Sequence, residues 1–453
     1  MASTQISECR KACLTIEREY VFPDRRLHRS DVQPDITQLY RQACSCRPWQ
    51  MMKADNPQPT PRMTARRTSL LGALLTALGP VSMAIYTPAM PELVGAFATS
   101  ESAIKMSLSL YFAGFAVAQL LAGPASDAFG RKAATIGFLL IYLVGSVLAA
   151  MAPDIGWILA GRLIQGIGAS VGITVARAVV RDQFVGREAA SIMNLIAIML
   201  TVAPALGPTL GGLSLAAFGW KSVFLLMLGF GLISIGSVLL FLQETGRPDR
   251  TRLRPARLLA GYAEVLSNSR FVLASLVIGG SIGALYAQAT MLPFVLINEV
   301  GLTPTQFGMG MLVQTGSYLA GSLVLRMAAR RISGHRAVVI GLCFSGTGGL
   351  VMALSVALLP PGFLSIMLPV GICTFGIAFI SPHMITVGMA PFPHIAGSAS
   401  AMMGFIQMSS GFLGGLAAAM LGAPLLAFGT VIPFMEFAAV GSYLAYLAVE
   451  RRP

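Results

Sequence analysis

The sequence predicts an all-α membrane protein, with twelve transmembrane helices arranged as two pseudo-symmetric bundles of six. Three observations carry this. Of 453 residues, 55% are hydrophobic and only 11% charged, whereas a water-soluble domain carries roughly 25% charged residues. Apolar runs of about 20 residues, long enough to cross roughly 30 Å of hydrocarbon, recur along the chain. One long polar interval, 243–269, divides those runs six and six. The runs are too long and too uniformly apolar for barrel strands, which alternate over about ten residues. Backbone groups in lipid must be bonded within the segment, so the runs are helices.

In order, the runs fall at 68–90, 104–124, 134–152, 156–179, 190–214, 221–242, 270–297, 306–329, 337–359, 363–389, 396–422 and 429–449. This gives a basic extension at 1–67, a first six-helix bundle at 68–242, a linker at 243–269 and a second bundle at 270–450. The turn after the second run ends in GRKAATIG, Gly130 to Gly137, and the turn after the eighth ends in GHRAVVIG, Gly334 to Gly341. Equal separation of the paired glycines marks a duplicated unit, as in many transporters.

The net charge of +13 is a topology signal. One side receives Arg66, Arg67, Arg131, Lys132, the arginines of 247–270, Arg330, Arg331, Arg336, Arg451 and Arg452; the other loops receive only Lys105 and Lys221. Loops rich in Lys and Arg stay cytoplasmic, so both termini are expected inside, and nucleic acid is not an expected partner. Cys343 and Cys373 fall within runs; Cys9, Cys13, Cys44 and Cys46 fall in the extension, at spacings that match no strong zinc pattern. No metal site is expected. Two readings of the extension stand: a disordered cytoplasmic segment, or a true start at Met63, whose MTARRTSLLGALL is already a basic flank before a helix.

Four stretches carry the chemistry. In GPASDAFGRK, Gly123 and Gly130 permit a tight reversal, and Asp127 and Arg131, four apart and followed by Lys132, are spaced to pair. The pair reads as a latch between half-bundles or as a plain basic turn. In RLIQGIGAS, Arg162, Gln165, Gly166 and Ala169 share one helix face. A charge at that depth needs a water-filled cavity or a partner, unless it snorkels to headgroups. In APALGPTLGG, Ala203, Gly207 and Gly211 form a small-residue stripe with Pro204, Pro208 and Gly212 alongside, which suits a packed seam between half-bundles. Tyr86, Tyr111, Gln119, Asn194, Tyr286, Gln288, Gln314 and Gln407 are polar residues at cavity-like depth. As a set they suit a moderately lipophilic ligand.

These stretches carry a resemblance. GPASDAFGRK resembles the helix 2–3 loop signature of the major facilitator superfamily, and RLIQGIGAS its helix-four signature. APALGPTLGG resembles the signature of drug:proton antiporters. YTPAMPEL and PFPHIAGSASAMMGFIQ resemble the Bcr/CflA group of bacterial drug exporters, and the likeness covers about 68–450. It implies a monomeric secondary exporter of small amphipathic molecules in the bacterial cytoplasmic membrane, working by alternating access, with the proton as coupling ion and no cofactor. An uncoupled or differently coupled metabolite carrier is the alternative. An intramembrane enzyme is disfavoured, because no catalytic cluster at depth and no GxxxxGK[ST] phosphate loop occurs.

The chain departs from that group at the proton site. The group usually carries an aspartate in helix one just before the tyrosine that precedes Pro-x-x-Pro; here Ala84 takes that place, in GPVSMAIYTPAMP. Glu436 in the twelfth run and His383 in the tenth are the titratable groups left at depth. Glu436 reads as a proton site or as a carboxyl near the outer interface.

Overall fold

The structure, a computed structural model, describes residues 62–246, 248–329 and 331–451. Cys9, Cys13, Cys44, Cys46, Arg247, Arg330 and Arg452 lie outside the described residues, as does nearly all of the 1–67 extension. Every apolar run is helical, with ends within a few residues of those read from hydropathy. The first half comprises α1 (Ala65–Tyr86), which passes through a 3-10 turn into α2 (Met90–Ala96), then α3 (Glu101–Phe129) and α4 (Arg131–Ala150). It continues with α5 (Ile155–Ala169), running on past Ser170 into α6 (Val171–Gln183), then α7 (Gly186–Phe218) and α8 (Trp220–Phe241). The linker contains α9 (Pro255–Ser267). The second half is α10 (Ser269–Pro293), α11 (Pro304–Ala328), α12 (Gly334–Leu358), α13 (Phe363–Met389), α14 (Ala396–Leu421) and α15 (Pro424–Glu450). Among the described residues, ten spans are long and apolar enough to cross a membrane on length and composition. The other two runs form α7 and α11.

The starts of α1, α3, α5, α10, α11 and α12 are capped by side chains of the expected types. Asp154 accepts from Gly156 N at 2.8 Å, Asn268 accepts from Phe271 N at 3.0 Å, and Thr303 with Gln306 closes a capping box on α11. Helix α9 was not apparent in a linker read only as polar and basic. It begins with proline at its first position, and its one fully buried residue is Val265.

The turn after the second span is tighter than its glycines suggested. Gly123 is helical, because α3 runs on to Phe129, and Gly130 alone makes the reversal with φ 94°. Pro124 within α3 has no N–H to give the Leu120 carbonyl. That carbonyl instead accepts from the Tyr262 hydroxyl of α9 at 2.6 Å. Burial pushes the Tyr262 hydroxyl up to about 12, so it remains a donor at physiological pH.

The small-residue stripe divides between two partners. Gly207 packs on Ala84 and Gly211 on the Ile85 carbonyl, both in α1 of the same half. The contact between halves lies one residue on, where Gly212 meets the Pro304 carbonyl and Gly308 of α11 meets that of Pro208. The seam is therefore carried by Pro208 and Gly212. Pro204 is half-buried, and Ala203 belongs to α7 with its side chain outside the described residues. A Gly212→Val substitution is expected to force α7 away from α11 and lower stability by about 1–3 kcal/mol, read as a lower unfolding temperature in detergent. A variant as stable as the parent contradicts this seam.

Candidate functional site

Arg162 is fully buried in α5 and makes no ion pair among the described residues. Its guanidinium carbon lies 4.4 Å from the ring centre of Tyr86, from α1, and 4.4 Å from that of Tyr111, from α3. Two aromatic faces thus supply the attraction a carboxylate usually supplies. Nη1 donates to Gln165 Oε1 at 2.6 Å and approaches Met227 Sδ at 3.7 Å; Nε and Nη2 have no partner among the described residues. Gln165 in turn donates to Ser146 Oγ at 2.8 Å.

The cage has its own fixings. Tyr86 shares a 2.6 Å hydrogen bond with Ser107, Tyr111 donates to the Gly79 carbonyl at 3.0 Å, and Tyr142 pairs with Ser82 at 2.6 Å. Gly166 abuts the Tyr111 carbonyl and brings α5 and α3 backbone to backbone. Arg162 therefore neither snorkels to the surface nor stands open; it is enclosed within the first half. Of the residues singled out from sequence, Tyr86, Tyr111, Arg162 and Gln165 come together here. Tyr142, Ser82, Ser107, Ser146 and Met227 complete the site, and no pattern in the sequence marked them.

A second polar group lies along the contact between α3 and α14. Gln407 donates to the Tyr286 hydroxyl at 3.3 Å, and the Tyr286 ring lies 5.4 Å from that of Phe112 in the other half. Gln119, buried and with no partner for Oε1 among the described residues, abuts Gly404. Gln288 and Gln314 are buried, and Asn194 is exposed; none of the three joins either cluster.

The two titratable candidates are placed differently from expectation. Glu436 is 1% exposed and lies midway along α15. It faces Gly349 of α12 inside the second half, and its Oε2 has no hydrogen-bond partner among the described residues. His383 is at the arginine-rich end rather than at depth, against Gly334 and 4.8 Å from the His335 ring.

At that same basic end, Arg131 is the hub of a charged corner. It pairs with Asp127 and donates to Ser126 Oγ at 2.7 Å and to Asp182 Oδ2 at 2.9 Å. Glu244 accepts from the backbone N–H of Arg131 at 2.7 Å and of Lys132 at 3.1 Å, capping α4 in place of the side chain that Gly130 lacks. Lys132 Nζ donates to the Leu239 carbonyl at 2.9 Å, and the Asp249 N–H of the linker to the Asp127 carbonyl at 2.9 Å. Asp127 and Arg131 pair as their spacing indicated. Every partner named for Arg131 belongs to the first half or its immediate exit, so the corner joins α3, α4, α6 and the segment after α8. Asp182 and Glu244 escaped the sequence reading, although both are acids among the many arginines of this end.

The architecture defines a class: a polytopic, all-helical membrane protein of six spans plus six, with charged side chains enclosed among its helices. Residues 72–415 match the model of the Major Facilitator Superfamily, and the chain belongs to that family of membrane transporters. It is 27% identical over 366 residues to an uncharacterised MFS-type transporter, YdgK, of Bacillus subtilis (strain 168), covering 78% of this chain and 88% of the relative. It is 28% identical over 360 residues to the multidrug resistance protein MdtL of Klebsiella pneumoniae (strain 342), covering 79% and 89%. Among solved structures, a bacterial homologue of the human lysosomal transporter Spinster superposes with a TM-score of 0.63 at 15% identity. That likeness covers 85% of this chain and 95% of the other.

Removing the acid that holds Arg131 from α6 leaves a largely buried guanidinium short of one partner. Asp182→Asn is expected to cost about 1.5–3 kcal/mol, the range for hydrogen bonds to charged groups. The check is the unfolding free energy in mixed micelles; no change would remove Asp182 from the corner.

Proposed function

We propose that this chain exports small amphipathic drugs or xenobiotics across the bacterial cytoplasmic membrane by alternating access of its two halves, as a proton antiporter of the Bcr/CflA type. The basic end faces the cytoplasm, and the monomer is the working unit. The observation that carries this reading is the seam of α7 on α11, where Pro208 and Gly212 of the antiporter-like stretch pack backbone to backbone against the other half. Such contact between the halves restricts leakage along the pathway. The multidrug names of MdtL relatives support the substrate class. The amphipathic residues at the contact of the halves, Tyr286, Gln407 and Gln119, suit a ligand with an apolar body and few polar groups.

A second reading, an uncoupled or differently coupled metabolite carrier, is favoured by Ala84. That position is buried and packed against Gly207. An acid there has α7 in its way, so proton coupling through this position is absent. Under the first reading the proton is carried elsewhere, and Glu436, an enclosed carboxyl with one oxygen lacking a hydrogen-bond partner among the described residues, is the group assigned to it.

Cells expressing the protein are expected to accumulate less of a fluorescent dye or an amphenicol than control cells. Arg162→Ala and Asp127→Asn should each abolish that difference. Equal accumulation in cells carrying the parent and Arg162→Ala would sink the export reading. For coupling, proteoliposomes carrying the parent should transport faster under an imposed proton gradient, and those carrying Glu436→Gln should not respond. Identical gradient dependence would remove Glu436 from coupling.

A further inference from the structure

Lys105 lies one turn into α3, at the end of the molecule opposite the arginines, and is fully buried. A lysine is seldom fully buried unless paired, and three contacts account for this one. Its ammonium donates to the carbonyl of Gly422 at 2.7 Å, lies 5.5 Å from the ring centre of Phe294, and is 4.0 Å from Glu101 Oε2. Glu101 belongs to the first half, whereas Gly422 and Phe294 belong to the second.

The Gly422 carbonyl is at the C-cap of α14, where helix carbonyls lack intrahelical partners and the helix dipole presents its negative end. The ammonium therefore caps a helix of the opposite half. Phe294 follows directly on α10 and is buried in the apolar cluster that contains Met90, Leu93, Ile104 and Leu108 of the first half. Glu101 extends the bridge, its Oε1 accepting from Asn298 Nδ2 at 3.0 Å. One turn further along α3, Ser109 abuts Gly415 of α14. Two charged residues on one helix thus reach both the α10–α11 corner and the α14–α15 corner of the other half.

We infer that Lys105, supported by Glu101, is the latch that holds this end of the transporter closed. Its partners are contributed by the half that must move away when this end opens, so opening exchanges the Gly422 carbonyl and the Phe294 ring for water. Lys105 acts on the equilibrium between access states and is a positioning residue, with no contact to cargo required. The contrast with Arg131 is informative: that hub pairs within its own half, whereas Lys105 pairs across.

The inference rests on relative movement of the halves, as the proposed function does, but on neither substrate nor coupling ion. The test uses the full chain in nanodiscs without substrate. Its native cysteines are replaced, and spin labels are placed at Met151→Cys and Leu359→Cys, exposed positions at the same end in opposite halves. Lys105→Met keeps the bulk of the stem and removes the charge. It should raise the longer-distance population on the order of tenfold, the change that losing a charge-assisted hydrogen bond produces, while Lys105→Arg stays near the parent. An unchanged distribution in Lys105→Met, or an equal shift in Lys105→Arg, overturns the latch. Should Lys105→Met not be recovered folded, Glu101→Gln carries the test from a carboxylate that is 32% exposed: a smaller shift in the same direction is expected, and none overturns it. Shifted distances in a protein that exports no drug would fell the export reading and leave the latch standing.

Discussion

The enclosed charge of Arg162 is the constraint on which the first half depends. Taking a guanidinium out of water costs several kcal/mol even after relaxation. Here the offset comes from two ring faces, worth about 2 kcal/mol each when desolvated, and from one charge-assisted hydrogen bond to Gln165, worth about 1.5–3 kcal/mol. These terms are of the same size as the cost, so none is dispensable. The requirement fixes three helices at once: α1 must present Tyr86, α3 must present Tyr111, and α5 must approach α3 closely enough for both rings to reach the charge. Gly166 makes that approach possible. The hydroxyls of Ser107 and Ser82 then hold Tyr86 and Tyr142 in place.

Charge is used differently at the two ends. At the basic end, Arg131, Asp127, Asp182 and Glu244 tie α3, α4, α6 and the exit of α8 into one corner, and the linker docks on it through Asp249. At the opposite end, Lys105 and Glu101 spend their hydrogen bonds on the other half. The first arrangement stiffens one half as a single body. The second ties that body to its neighbour. Towards that same end, backbone contacts at Gly212 and Gly308 give the halves a surface on which to meet without charge.

The helices were legible because lipid imposes a length and a polarity that any segment must show. Hydropathy located all twelve, and the arginines marked one end. Arg162 was legible as well, since a charge at depth stands out against an apolar run. What surrounds it was not: Tyr142 and Met227 are ordinary residues for membrane helices, and only packing brings them to the guanidinium. Asp182 and Glu244 lie far from Arg131 in sequence, so a local motif could show Asp127 and nothing else. The small-residue stripe was legible as a packing surface, but a 3.6-residue period cannot say which neighbour each side faces. Gly207 and Gly211 turned out to face α1, with Gly212 on α11. Helix α9 was hidden because the arginines at 247–254, just ahead of it, gave the whole interval the look of a polar, basic linker. Lys105 was visible only as one of two cations on the sparse side, since its partners belong to corners roughly two hundred and three hundred residues away in sequence.

The account turns on whether the tyrosine faces hold the Arg162 charge. The most direct measurement is a double-mutant cycle on unfolding free energy in mixed micelles, pairing Arg162→Met with Tyr111→Leu. Both changes remove other contacts, but those cancel around the cycle and leave the mutual term. The account predicts a coupling of about 1–2 kcal/mol, the size of a desolvated cation–π contact. Additivity within about 0.3–0.5 kcal/mol would mean the ring and the charge are merely neighbours, and would contradict it.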